Sequence, residues 1–271
     1  MYQRGRVDGR SRARDEPGRQ LDVAARAGSI CTLEYSMHQA ERRELIVVCA
    51  GGYARELASY VRDLRGAGEP ITIRSFVDDH RFEATYEGAP LLGGLQHLRA
   101  FLEAHPGNMF SYICAVSNNQ ARLDVVRRVE RLGASNLAPW TARHPNATIS
   151  DSAEIGTGVC VAPGAIVTAR ATIGDHCILN VNSSVSHDSL IEPFVHVSPS
   201  ASICGGVTIG EGCYIGPGAT VVSNVQIGAW SIVGAGAVVT DDVPAYSTVA
   251  TDPARIVQRR GRGTRQPKLV G

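Results

Sequence analysis

The 271-residue chain has no surplus of either charge: 27 Lys+Arg stand against 26 Asp+Glu, a formal net charge of +1. A general nucleic-acid binder carries a basic excess or stripe, so that class is excluded as the main function. Aromatic residues are scarce at 6%, which leaves Val, Ile, Ala and Leu to build the core. No apolar run approaches the roughly 18 residues that cross a bilayer. The opening segment, up to Met37, lacks the apolar stretch of a secretory signal. There is also no Cys-x-x-Cys. The cysteines are Cys31, Cys49, Cys114, Cys160, Cys177, Cys204 and Cys213, an odd and scattered set that excludes a zinc ribbon or a disulfide framework. Several lie in apolar runs such as VVCA and YICAV, where a thiol packs as a small hydrophobe. These absences lead us to expect a cytoplasmic protein with neither nucleic acid nor membrane as partner.

What is present falls into blocks. Residues 1–40 are Arg/Gly-rich, mixed in charge and aperiodic, and are expected to form a disordered extension; residues 256–271 are expected to be a disordered tail. Residues 41–140 read as a small Rossmann-like α/β domain. LIVVCA is a short strand, and after Gly51-Gly52 the spacing of Leu57, Val61 and Leu64 gives a helix with one apolar face. ITIRSFV is a second strand, Leu95–Ala104 a second helix, and YICAV a third strand. A helix from about Asn119 turns Leu123, Val126 and Val129 inward. Strands separated by helices imply parallel βαβ units.

Beyond residue 146 the period changes to six. From Ile149, every sixth residue (Ile155, Val161, Val167, Ile173, Leu179, Val185, Ile191, Val197, Ile203, Ile209, Ile215, Val221, Ile227, Val233, Val239) is Ile, Val or Leu. Two positions before each stands a smaller residue, such as Ala147, Ala153, Ala165, Ala171, Cys177 or Ser183. A six-residue spacing does not stay on one face of a 3.6-residue helix. It fits a parallel β-helix of hexapeptides, three to a triangular coil, over residues 141–255. Coils stack at about 4.8 Å, so roughly five of them make a prism about 25 Å long.

With VVCAGGYARE, FVDD, AVSNNQAR and the stretch NVNSSVSHDSLIEPFVHVSPSASICGGVTIGEGCYIGPGATVV, the chain resembles the two-domain hexapeptide-repeat sugar acyltransferases. These include sialic-acid O-acetyltransferases and N-acetyltransferases of nucleotide-linked amino sugars. The resemblance implies an α/β substrate-binding domain followed by a left-handed β-helix, acetyl-CoA as co-substrate, no metal, and a homotrimer with sites between subunits. It implies His187-Asp188 as the catalytic pair, which the chemistry also asks for. Acyl transfer needs a base titrating near neutrality, and an adjacent carboxylate fixes the tautomer of that base. Asn180 matches an active-site Asn, and His196 an acetyl-CoA contact across a subunit boundary. The cofactor contacts fall on Gly205, Pro217 and Ala235, and the Gly205 N–H is the candidate oxyanion donor.

At the amino-terminal site, Gly51, Gly52 and Tyr53 form a glycine pair at a helix start, where a phosphate approaches closely. Asp78 and Asp79 end the second strand and, by resemblance, meet a nucleotide base; on the residues alone they also read as a solvated acidic turn. Ser117 and Asn118 follow the third strand. Tyr53 and Ser117 stand where relatives carry His and Gly, and Thr251-Asp252-Pro253-Ala254-Arg255 departs from the G-x-P-A-[KR] turn. An acyl-cysteine route through Cys204 lacks an adjacent base. A zinc site on His176, His187 and His196 has no defensible spacing. The resulting reading is an acetyl-CoA-dependent N-acetyltransferase of a nucleotide-linked amino sugar. The alternatives are a sialic-acid-type O-acetyltransferase and a non-catalytic nucleotide-sugar-binding subunit.

Overall fold

The computed structural model describes residues 43–251. The expected extension over 1–40, the tail over 256–271, Cys31 and the turn residues Asp252–Arg255 lie outside the described residues.

The apolar runs form a four-stranded parallel sheet of β1 (Arg43–Val48), β2 (Ile71–Val77), β5 (Phe110–Cys114) and β6 (Leu137–Pro139), in the order β2-β1-β5-β6. Between them lie α1 (Gly52–Gly66), the hairpin β3 (Thr85–Tyr86)–β4 (Ala89–Pro90), α2 (Leu95–Ala104) and α3 (Asn119–Glu130). Successive strand residues point to opposite faces. Leu45, Val47 and Ile113 pack towards α1, whereas Ile46, Val48 and Tyr112 pack towards α2 and α3. The chain leaves β1 first to one side and later to the other, so a topological switch point lies between β1 and β5. Open α/β sheets bind ligands at the carboxyl ends of the strands there.

From β7 (Ala142–Arg143) to β24 (Thr248–Val249), two-residue strands build the left-handed β-helix from three parallel sheets of seven, six and five strands. Pairing runs in an eighteen-residue register, as in Cys160↔Ile178, Ser184↔Ser202 and Thr220↔Val238. The hexapeptide aliphatics from Val161 to Val239 are buried, while Ile149 and Ile155 in the first coil are half-buried. At about 1.5–3 kcal/mol for each side chain removed from water, this column is the dominant stabilising feature of the prism. After Val239 the last coil shortens to a sixteen-residue register, Ile232↔Thr248 and Ile227↔Val243.

The bends between strands explain the prism's edges. Every sixth residue from Gly158 to Gly236 has a left-handed backbone, with φ between 55° and 70°. Several of these are not glycine, at a cost of about 1–2 kcal/mol each. The register stacks these corners into three ladders. The first is Arg170, Asp188, Gly206, Asn224; the second is His176, Phe194, Gly212, Trp230; the third is Asn182, Ser200, Gly218, Gly236. The first ladder is the edge opposite the seven-stranded face. The lower part of that face packs against the α/β layer, where Ala142, Cys160 and Ala162 join the α1 core.

Candidate active site

At the carboxyl end of β1, Gly51 caps α1 with an extended backbone and no side-chain bond. A β-carbon on Gly51 or Gly52 would meet nothing within 4 Å, so the helix N-terminus is open. It borders a cleft of about 770 Å³ lined by Ala50, Gly51, Asp78 and residues 80–83. Asp78 shapes this cleft from within, accepting from the N–H groups of Ala50 and His80, both at 2.8 Å. Asp79 accepts from Leu95 N at the start of α2 (3.1 Å) and from Arg128 Nη2 (2.7 Å). Burial opposes its ionisation, but Arg128 and the Leu95 N–H outweigh it and hold the carboxyl below its usual range. The acidic pair is therefore tied into the fold rather than being a free turn. Tyr53 is turned inward. Its hydroxyl is buried, with the Cys160 thiol as its polar neighbour among the described residues, and burial raises its pKa well above that of an ordinary phenol.

At the carboxyl end of β5, Asn118 caps α3 by accepting from Ala121 N at 2.9 Å. Ser117 meets the β-helix: its carbonyl lies 3.2 Å from Nδ1 of His196, and His196 Nε2 lies 3.4 Å from Nδ2 of Asn180. These partners assign Nδ1 as donor and Nε2 as acceptor, a neutral imidazole. Burial, reinforced by Arg122, pushes His196 down to about 4. This cluster opens into a cleft of about 570 Å³ walled by Ser117–Gln120, Gly212, Tyr214, Trp230 and Ile232.

His187 and Asp188 occupy the opposite edge. Asp188 sits at a left-handed corner (φ 60°) and directs Oδ2 to His187 Nδ1 at 2.7 Å. Nδ1–H is then the donor, and Nε2 presents its lone pair. The ring lies over Gly205 on the next coil, where a β-carbon would come within 2.6 Å of both Cε1 and Nε2. The Gly205 N–H donates to nothing among the described residues. Pro217 and Ala235 stack along the third edge, beside the corners Gly218 and Gly236. One chain thus brings Asn180, His196 and Ser117 together, and His187, Asp188 and Gly205 together, but keeps the two groups on opposite sides of the prism. Among the described residues no cluster of three potential metal ligands forms.

Comparison with known proteins joins both halves of the chain to one lineage. The PglD N-terminal domain matches residues 44–129, and the bacterial transferase hexapeptide (six repeats) matches 188–222 and 206–241. The chain is 32% identical over 171 residues to a GDP-perosamine N-acetyltransferase of Escherichia coli O157:H7, covering 62% of this chain and 72% of that protein. The chain belongs to the hexapeptide-repeat sugar acyltransferases. Its fold is similar to a perosamine N-acetyltransferase variant from Caulobacter crescentus in complex with CoA and GDP-perosamine, with TM-score 0.69, 30% identity, and coverage of 80% of this chain and 97% of that one. It is also similar to the acetyltransferase domain of PglB from Neisseria gonorrhoeae in complex with acetyl coenzyme A. There the TM-score is 0.68 and the identity 35%, with 79% of this chain and 98% of that one covered.

Within this acyltransferase two groups near the site escaped the sequence reading. Arg122 is 1% exposed, yet it meets no carboxylate among the described residues. Its guanidinium donates to the carbonyls of His176 (2.9 Å), Phe194 (2.7 Å), Val116 (3.0 Å) and Ser117 (3.2 Å). Asn119 donates to the carbonyls of Gly212 and Cys213, at 2.9 and 2.8 Å. Together they engage three successive corners of the second ladder and hold the Ser117 loop against the prism. The other omission is Arg170, whose Nε lies 2.7 Å from Asp188 Oδ1. Its signal was in the sequence, as the residue one coil before Asp188. Arg122 closes the AVSNNQAR segment, but a charged residue on a helix reads as solvated, and its carbonyl partners lie far along the chain.

Proposed function

We propose that this protein transfers the acetyl group of acetyl-CoA to the amine of a nucleotide-linked sugar, in the cytoplasm and as a homotrimer. In this reading residues 41–140 hold the nucleotide sugar and residues 141–255 carry out the transfer. The carrying observation is the pairing of His187 Nδ1 with Asp188 Oδ2 at 2.7 Å, which leaves Nε2 free over Gly205. His196, near pKa 4, binds a proton too weakly to take one from an amine at neutral pH. The base is therefore His187, from the edge opposite His196, and a neighbouring copy must supply it to the Ser117–His196 cleft.

In the step itself, the amine nitrogen attacks the thioester carbonyl and the C–N bond forms. The Gly205 N–H stabilises the oxyanion, and the C–S bond breaks. The amine proton passes to His187 Nε2 and then to the departing CoA sulfur. The phosphates of the sugar nucleotide sit at the open α1 N-terminus by Gly51 and Gly52, in the cleft bordered by Asp78, while Ser117, Asn118 and Asn180 orient the sugar. Asp79 contributes by fixing α2, and Tyr53 by packing. Pro217, Ala235 and Gly205 line the acetyl-CoA path.

The test is thiol release from acetyl-CoA with a panel of UDP-, GDP-, dTDP- and CMP-linked amino sugars. Turnover is expected with at least one member, and His187→Ala should lower its kcat by about 10²–10⁴ while acetyl-CoA still binds. Silence across the panel, with bound nucleotide sugar, would support a non-catalytic binding subunit instead.

A further inference from the structure

We propose that Arg170 is a positioning residue for the base, holding Asp188 so that the carboxylate both orients His187 and is partly neutralised; this rests on the reading of His187 given above. The geometry is set by the corner ladder. Arg170 and Asp188 are left-handed corners of successive coils, with φ 55° and 60°, so their side chains leave the prism in parallel. The two carboxylate oxygens are divided: Oδ1 takes Arg170 Nε and Oδ2 takes His187 Nδ1, each at 2.7 Å. Without Arg170 the carboxylate is free to rotate on an exposed edge. With it, a single rotamer faces the imidazole.

Stability is not the purpose of this pair. The Arg170 and Asp188 side chains are 70% and 42% exposed, and ion pairs so open to solvent contribute little to folding. Their effect is on His187. The carboxylate that accepts from Nδ1 fixes the tautomer and plane of the imidazole, and the guanidinium on its far oxygen fixes the carboxylate in turn. The hydrogen bonds from Arg170 and then His187 also hold the Asp188 carboxyl below its usual range. The other groups facing His187 are Gly205 on the next coil and, in the proposed assembly, His196 and Asn180 of a second copy.

The experiment follows His187 directly. Histidine ¹³Cε1 chemical shifts are titrated in the full-length protein, with His187→Ala to assign the signal, alongside the pH profile of kcat/KM. Arg170→Gln is expected to raise the His187 midpoint, because it removes a positive charge from the far side of the carboxylate. The acid limb of the rate profile should move up equally, and plateau kcat should fall about threefold to tenfold as the ring loses its fixed orientation. Arg170→Lys should restore the midpoint but only part of the rate. Thermal midpoints should agree within about 2 °C. A His187 midpoint that stays put or falls in Arg170→Gln overturns the proposal. A midpoint that rises while the rate profile is unmoved upholds the hold on His187 and instead removes its role as the base.

Discussion

Gly205 is a residue whose identity is dictated by its neighbour rather than by its backbone. Its φ lies outside the left-handed region, so alanine fits the chain locally, but the added carbon would press on Cε1 and Nε2 of His187. His187 is exposed enough to swing away, so the expected penalty falls on function. Gly205→Ala should lower kcat by about 10–100-fold with little change in thermal midpoint. Combined with His187→Ala it should add almost nothing, because both changes remove the same imidazole. Additive losses in that double variant would mean that the added carbon acts on the proposed oxyanion site or acetyl-CoA path rather than on the imidazole. Tyr53 makes the complementary point. Beside a glycine pair it reads as part of a ligand loop, but α1 turns that position towards the β-helix and buries its hydroxyl.

At the scale of elements, α3 is the link between the two architectures. Arg122 occupies a position buried among carbonyls, and desolvation lowers its pKa from the usual guanidinium range. A lone buried charge is costly, but five donors spread over carbonyls of the loop and of the prism compensate it. Arg122→Met preserves volume while leaving several buried carbonyls unpaired. It should reduce the unfolding free energy by about 3 kcal/mol in urea titration. A loss under about 1 kcal/mol would mean that water replaces the guanidinium at little cost.

How far such elements could be read from the sequence depended on periodicity. The column from Val161 to Val239 lies inside as its spacing requires, and Leu57, Val61, Leu64, Leu123, Val126 and Val129 face the core. The contacts of Arg122, Asn119 and Arg128 were invisible because they join segments far apart in the chain. The partners are also mostly backbone carbonyls, which leave no trace in residue identity. Asp78 and Asp79 stand out in the sequence as an acidic pair after the second strand, but their hydrogen bonds to Ala50, Leu95 and Arg128 depend on how the strand ends converge.

At the scale of the whole molecule, two buried imidazoles make the fold sensitive to acid. Burial pushes both His176 and His196 from 6.5 down to about 4. Above pH 6.5 neither the folded nor the unfolded chain protonates them, and their contribution to stability is complete. Between 6.5 and 4 the unfolded chain takes up protons that the folded one refuses, so stability falls as pH falls, by on the order of 3 kcal/mol for each. His176 stacks on Phe194 with ring centroids 5.3 Å apart, and its Nδ1 is unpaired. His176→Phe should therefore keep the stack and lose about 2–3 kcal/mol less than the parent between pH 7 and pH 4.5. Equal losses in parallel denaturation curves would assign the acid sensitivity to other groups. The placing of His187 on the edge opposite the His196 face carries a genetic consequence. In the proposed homotrimer each site takes His187 from one copy and His196 from the next, so an allele lacking His187 and an allele lacking His196 should each lose activity alone. Expressed together in one cell, they assemble at random, and about one quarter of subunit boundaries should pair the intact edge of one product with the intact face of the other. Two dead genes would then restore a live enzyme.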